Sequence, residues 1–299
     1  MPLDIEKIAR THGWDFVTEG VKQARPGWIQ FRCPFTLCAS SGYTLGFNTN
    51  SAYFNCYRCG WHSLSSVLIA FGVDAQSVQD VVRSNFNPNV SKKRFDAKCV
   101  SEHVFLPKTA GKCLKTHISY IQQRQLHAET TITLWQLLGT SIYDKKYPAR
   151  IVAPITLDNR LVSFQTRDIT GRSKRPYLTC PKSNEVVHHK HTLYGVDSVP
   201  GNTVIVCEGI VDVWKLGPGA VATFGVGFKL EQVVMLATRF KKIVIAYDPD
   251  PAGKIGAEKL GCELDLFDVD VSVMLDLPCD AGDMTEKQKR KFLKHAIGK

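Results

Sequence analysis

The sequence predicts a multidomain protein: a small β ribbon, then an α+β basic subdomain, then an α/β domain with a parallel sheet. Three observations predict it. Four cysteines stand in two pairs between residues 33 and 59. Basic residues outnumber acidic ones ten to four over residues 141–195. From residue 203 onward, β-branched apolar runs alternate with helical stretches, and the runs end in carboxylates. A chain of 299 residues has room for two or three domains. The expected boundaries are a ribbon over 1–75, a linker over 76–108, a basic subdomain over 109–198 and the α/β domain over 199–299.

The ribbon rests on the cysteines. Cys33 and Cys38 form one pair, and Cys56 and Cys59 form a C-x-x-C. Short knuckles of this kind supply two ligands each to a tetrahedral ion, and thiolates favour zinc. One structural Zn2+ is therefore expected, held by Cys33, Cys38, Cys56 and Cys59, with His62 as a possible substitute ligand. The run "TLGFNTN" between the pairs has hairpin character, and "SAYFNCYRCG" reads as a strand entering a knuckle that turns at Gly60. The sheet is expected to be too thin to hold a core without the metal. With all ligands from protein, no coordination position is open for chemistry. Recognition is the alternative, and Tyr57 and Arg58 are groups a single-stranded nucleic acid uses for stacking and phosphate contact. Phe54 and Trp61 are expected to pack the ribbon instead.

The middle is basic. Residues 76–108 are polar and weakly periodic, which predicts a linker with one helix near its start. "HISYIQQRQLHAETTITLWQLLG" reads as two short helices. "RIVAPIT" and "LVSFQTRDI" are strands joined at "LDNR", a hairpin signal. "TGRSKRPY" is a second turn bearing Arg172, Lys174 and Arg175. These cations, with Arg150, Arg167, Lys190 and Tyr177, suit phosphate and base contacts; a solvated basic face is the plain alternative. The net charge of +10 favours a polyanionic partner on the same grounds.

The last third carries the acids. "TVIVCEGIVDVWKL" is a buried strand ending at Glu208, followed by a helix with Asp212. "AVATFGVGF" is a second strand. "KKIVIAYDPDPAGKIGAEKL" is a third, ending in Asp248 and Asp250 before a helix. "DVDVSVMLDLPCDAGDM" is a fourth, ending near Asp280 and Asp283. In a parallel α/β sheet, ligands bind outside the carboxyl ends of the strands. Carboxylates gathered there repel one another unless a hard divalent cation joins them, so one or two Mg2+ or Mn2+ ions are expected. Acids at turns and helix caps are the alternative for any single position.

No apolar run is long enough to span a membrane, and the N-terminal residues lack a signal-peptide core, so a cytoplasmic setting without membrane partners is expected. In a reducing compartment the ten cysteines are not a disulfide framework. No G-x-x-x-x-G-K-[ST] occurs, so a P-loop helicase is not expected within this chain. The basic tail "EKQKRKFLKHAIGK" reads as a solvated helix, or as one that docks on a partner.

"VCEGIVDV" and "AYDPDPAG" resemble the TOPRIM motifs of primases, topoisomerases and related nucleases. The order of ribbon, "RIVAPI…SFQTRD…RPYLTCP…TLYGVD" and TOPRIM motifs resembles the primases of bacteria and tailed phages. The resemblance implies a β zinc ribbon, an α+β basic subdomain and an α/β TOPRIM domain. It implies primer synthesis from ribonucleoside triphosphates on single-stranded DNA, with a separate replicative helicase as partner. It implies Glu208, Asp248 and Asp250 as metal-binding or catalytic acids, Asp212, Asp280 and Asp283 as secondary ones, and Arg167 as a catalytic cation. Arg175 stands where the family often has lysine. A TOPRIM nuclease, and a catalytically silent single-strand-binding or helicase-linked module, are the two alternatives.

Overall fold

In a computed structural model, residues 3–22, 24–38, 41–49, 53–86, 102–267 and 269–298 are described. Three sheets carry the architecture.

The first is a five-stranded antiparallel sheet in sequential order: β1 (Phe16–Val17), β2 (Trp28–Phe31), β3 (Leu45–Asn48), β4 (Tyr53–Cys56) and β5 (Gly60–His62). Helices α1 (Ile5–Thr11), α2 (Leu64–Ala70) and α3 (Val78–Asn85) accompany it. The expectation of a sheet without its own core is corrected here. Phe31, Phe47 and Phe54 are fully buried together with Ile5, Ile8, Val67 and Leu68. Helix α3 lies in the stretch expected to be linker, yet Val78 and Val82 are buried in this same core. Residues 87–101 of the expected linker lie outside the described residues. Its last stretch is corrected too: Val104 and Leu106 pack against the core of the second sheet, and the Phe105 backbone is hydrogen-bonded to the Asn184 side chain.

The second sheet is antiparallel: β6 (Leu138–Gly139), β7 (Arg150–Leu157), β8 (Arg160–Asp168) and β9 (Tyr177–Thr179). Its central hairpin turns at Asp158 and Asn159, both at positive φ (52° and 60°). That is the left-handed pair a tight hairpin demands, and Asp and Asn tolerate it best among side-chain-bearing residues. Helices α4 (Lys115–Gln123) and α5 (Ala128–Leu134) are the two short helices read from the sequence.

The third sheet is wholly parallel, in the order β11 (Ala220–Ala222), β10 (Thr203–Cys207), β12 (Lys242–Ile245), β13 (Asp270–Val273). Helices α6 (Ile210–Leu216), α7 (Leu230–Arg239) and α8 (Pro251–Leu264) make the connections. β10 and β12 read as unbroken apolar runs because both of their faces are covered, as parallel strands require. Helix α9 (Glu286–Ile297) is the basic tail. It is docked: Phe292 and Ala296 are buried in the core beside α6.

The ribbon sits against the far side of α8. The Lys259 ammonium lies 4.8 Å from the centre of the Trp61 ring. Leu266 is buried in the ribbon's core, and Phe267 meets Phe86 edge to face. Glu263 is buried at this seam and accepts a hydrogen bond from the Leu64 amide. Burial raises its pKa from 4.5 to about 7, against that bond. A carboxyl whose folded pKa is raised binds its proton more tightly when folded. Its stabilising contribution is therefore complete at low pH and is lost between about pH 4.5 and 7. Glu263→Gln keeps an oxygen acceptor and removes the ionisation. Its melting midpoint is expected to exceed that of the parent by roughly 2 °C or more at pH 8 and to match it at pH 4. Calorimetry at the two pH values checks this; equal midpoints at pH 8 would remove Glu263 as a source of the dependence.

Candidate active site

Parallel pairing sets the site. Val206 of β10 lies opposite Ile245 of β12, so the residues that follow both strands leave the sheet at one edge. Glu208 follows β10 and Asp248 follows β12. Glu208 Oε1 accepts a hydrogen bond from the Asp248 amide at 3.1 Å. The approach is so close that only glycine fits at 253. A Cβ there would overlap the Asp248 carbonyl oxygen and stand 2.8 Å from Glu208 Oε1. Asp250 caps α8, its Oδ1 accepting from the Gly253 amide at 2.7 Å, with Pro251 in the first turn. Asp212, in the first turn of α6, accepts from the Gly209 and Gly282 amides, each at 2.8 Å. It thereby ties the helix to the loop that bears Asp280 and Asp283.

Glu208, Asp212, Asp248, Asp280 and Asp283 line a single cavity of about 390 Å³. Asp250 does not line it, although its charge acts on both Glu208 and Asp248. Burial, then the charges of Asp212, Glu208, Asp280 and Asp250, raise Asp248 from 3.8 to about 8. Burial raises Asp212 to about 6, with the two glycine amides holding it down. Burial also raises Glu208, and its acidic neighbours add to the shift. Like charges gathered in a half-dry cavity drive protons on unless a cation replaces them. The donor set is all oxygen, which suits Mg2+ or Mn2+. No three of these acids bring carboxylate oxygens within 4.8 Å of one another among the described residues. Such spacing suits an ion that keeps several waters.

The same cavity also holds cations. Arg167 Nε donates to the Tyr120 hydroxyl at 2.8 Å, and its guanidinium lies 4.6 Å from the centre of the Tyr177 ring. Arg124 joins it in the same cavity and pairs with Asp283. Sequence reading found Arg167 and Tyr177. It missed Arg124, Tyr120 and Gln165, of which the first and last line the cavity. Arg124 and Tyr120 come from α4 and the turn after it, and nothing in that helix's pattern marks them.

Two expected binding cations are placed elsewhere. Arg150 is 3 % exposed, and its guanidinium donates to the Pro176 and Arg175 carbonyls and the Ser173 hydroxyl. It holds the 170–176 turn from beneath and faces no solvent. Lys190 Nζ donates to the Thr223, Phe224 and Gly227 carbonyls, at 3.0, 2.7 and 2.7 Å. Burial lowers its pKa to about 8. It braces the loop after β11, whose Phe224 and Gly225 line the cavity. Arg172, Lys174 and Arg175 are exposed on their turn, outside the cavity. Tyr57 and Arg58 are exposed on the ribbon.

The four ribbon cysteines converge. One sulfur from each lies within 4.8 Å of the others. The Cys33–Cys59 and Cys38–Cys56 sulfurs are 3.6 and 3.5 Å apart. Tetrahedral Zn–S bonds of ~2.3 Å place sulfurs about 3.8 Å apart, so the set fits zinc. A single 3-10 turn at Thr36–Cys38 brings Cys38 in despite the wide gap. His62 Nε2 is 3.0 Å from the Cys59 sulfur, a hydrogen-bond partner to the cluster. Burial raises the Cys33 thiol. Burial works the same way on Cys56, but the Cys59 and Arg58 amides and the Thr44 hydroxyl outweigh it and lower that thiol to about 6.

A parallel sheet with an acidic carboxyl edge, Glu at one strand end and Asp-x-Asp at the next, is a Toprim domain, and the Toprim domain model matches residues 202–274. The particular proteins this chain is similar to are DNA primases. It is 32 % identical to the DNA primase of Legionella pneumophila over 126 residues, 39 % of this chain and 22 % of the relative. It is 25 % identical to that of Escherichia coli strain K12 over 194 residues, 61 % of this chain and 33 % of the relative. The chain thus spans a third or less of the length of these relatives. The fold is similar over the whole chain to the zinc-binding and RNA polymerase domains of the Aquifex aeolicus primase, with TM-score 0.53, 16 % identity and 85 % of that structure covered. A DnaG primase catalytic domain bound to single-stranded DNA is similar over 71 % of this chain and 79 % of that one, with TM-score 0.52 and 16 % identity. The architecture is therefore a four-cysteine ribbon joined to a Toprim-containing fold like that of these primase structures. Among the described residues, no helix is long and apolar enough to cross a membrane.

Proposed function

We propose that the chain is a DNA primase that joins ribonucleotides on a single-stranded DNA template. The observation that carries this reading is the single cavity that Glu208, Asp212 and Asp248 share with Arg124 and Arg167. The carboxylates suit a divalent cation, and the guanidiniums suit the phosphates that the cation would accompany. In the reaction, the 3′-hydroxyl of one ribonucleotide attacks the α-phosphate of the next triphosphate, and pyrophosphate leaves. Arg124 and Arg167 neutralise phosphate charge. Tyr120 and Tyr177 fix the Arg167 guanidinium by a hydrogen bond and a ring face. Lys190 holds the loop that closes one side. Glu208 and Asp248 would hold one or two Mg2+ or Mn2+ ions, with Asp212, Asp280 and Asp283 completing the field. When bound, these ions supply charge stabilisation to the developing phosphoryl transition state.

The ribbon, with one structural Zn2+, would choose the start site through Tyr57 and Arg58. Arg172, Lys174 and Arg175 would follow the template backbone. Single-stranded DNA, ribonucleoside triphosphates and a separate replicative helicase are the partners of this reading. Its proposed functional units are the ribbon with α3 through residue 86, the basic subdomain from 102 to 198 and the α/β domain from 199.

Incubation with Mg2+, single-stranded DNA and labelled ribonucleotides tests it. Short RNA products complementary to the template are expected, with the DNA left intact. Cleavage of DNA supplied alone would favour a Toprim nuclease, and neither product would favour a binding module.

A further inference from the structure

Apart from the ribbon thiolates, one other group of side chains brings metal-ligand atoms together among the described residues: Glu185, His188 and His189, each with one donor atom within 4.8 Å of the others. They lie between β9 and β10, away from the acids of the active-site cavity in sequence and absent from its lining. Glu185 is 2 % exposed. Its Oε1 accepts from the Ser163 hydroxyl at 2.8 Å and stands 2.7 Å from His189 Nδ1. Despite burial, these bonds keep the carboxyl ionised, lowering its pKa. The other oxygen, Oε2, is buried and has no hydrogen-bond partner. It faces His188 Nε2 at 3.8 Å, beyond hydrogen-bond range.

A buried carboxylate oxygen without a donor costs roughly 1–3 kcal/mol, more when charged. Here the deficit is aimed at an imidazole nitrogen, with a second imidazole stacked beside it at 4.5 Å. Two imidazoles and one carboxylate are the donor set of first-row divalent cations, zinc foremost. We propose that Glu185, His188 and His189 form a second transition-metal site, independent of the ribbon thiolates and of the active-site acids. Its ligand atoms are a Glu185 carboxylate oxygen, His188 Nε2 and His189 Nδ1. Solvent completes the coordination, since the His188 side chain is 26 % exposed.

Ligation fixes the proton on the nitrogen of each imidazole that does not bind: His189, binding through Nδ1, carries it on Nε2. His188, binding through Nε2, carries it on Nδ1 and gives up the bond it accepts there from the Lys190 amide at 3.1 Å. The opposing cost is the nearby charge of Lys182 and Lys229. No electron transfer is involved. The bond that breaks belongs to Lys190, whose ammonium braces the wall of the active-site cavity.

The test uses the full chain with its ribbon zinc in place and Mg2+ in excess to occupy the acids. Co2+ is titrated near neutral pH. One further equivalent is expected, with weak visible absorption and no sulfur-to-cobalt charge-transfer band. His188→Ala and His189→Ala should each weaken it by about 10-fold or more, while Asp248→Asn keeps it. Uptake unchanged by both histidine variants, or lost instead in Asp248→Asn, would overturn the assignment. Thermal melting guards against misfolded variants. Zn2+ should raise the midpoint of the parent and not that of His188→Ala, a partly exposed position; no rise in the parent would also overturn it.

Discussion

Asp248→Ala is expected to lower primer synthesis by roughly 10³-fold or more while single-stranded DNA binding stays within about twofold of the parent. The reason is the asymmetry of the cavity. Asp248 lies among the acids of the cavity, where burial and then the charges of four other carboxylates lift its pKa to about 8. It contributes nothing attractive to a polyanion. The groups that do are Arg124 and Arg167 in the same cavity and the exposed cations of the 170–176 turn. Removing Asp248 therefore removes a metal ligand and leaves the cationic surfaces intact. A second consequence separates this reading from simple unfolding. Without metal, ionised Asp248 is a liability to the fold: a raised carboxyl contributes full stability only at low pH and loses it as pH rises from about 3.8 to about 8. The metal-free Asp248→Ala chain should thus melt no lower than the parent at pH 8. Incorporation of labelled ribonucleotides, fluorescence anisotropy with labelled DNA and calorimetry supply the three readings. Parallel loss of synthesis and binding would count against the metal role.

Cys56→Ser is expected to remove the ribbon's metal and lower the melting midpoint of the N-terminal body by roughly 5 °C or more, while leaving the parallel sheet folded. Structural zinc contributes on the order of 10 kcal/mol of apparent binding free energy in small fingers that have no other core. This ribbon does have one, through Phe31, Phe47, Phe54 and the three helices. Loss of zinc should therefore loosen the knuckles and the strands they join without denaturing the whole. Cys56 is the position to change because it is buried, pairs with Cys38 across 3.5 Å and has amides directed at its sulfur. Cobalt substitution reads the result directly, through the loss of sulfur-to-cobalt charge transfer. An unchanged charge-transfer band would mean that these four thiols do not share one ion.

Much of the fold was legible because its signals are local. Paired knuckles fix a ribbon, and "LDNR" fixes a hairpin because its two central residues tolerate left-handed backbone. Glu208 and Asp248 were legible because parallel strands must end at one edge. The invisible parts depend on contacts across long stretches of chain. Arg124 and Tyr120 look like ordinary helix-surface residues until β8 and β9 bring Arg167 and Tyr177 to them. Arg150 and Lys190 read as binding cations because composition does not show that backbone carbonyls take up their donors. Asp250 reads as a metal ligand in sequence; in the fold its Oδ1 caps α8, a role that the sequence alone does not separate from ligation. Glu185, His188 and His189 carried no recognised spacing, and the folded segment between β9 and β10 assembles them.

The claim on which the whole account turns is that the carboxylates at the strand ends hold a hard divalent cation. Paramagnetic resonance of Mn2+ measures this most directly, with zinc first saturating the thiolate and histidine sites. The parent chain should remove Mn2+ from the free pool in the presence of a nucleoside triphosphate, and Glu208→Gln and Asp248→Asn should each abolish that uptake. Mn2+ uptake equal in the parent and both variants would contradict the account.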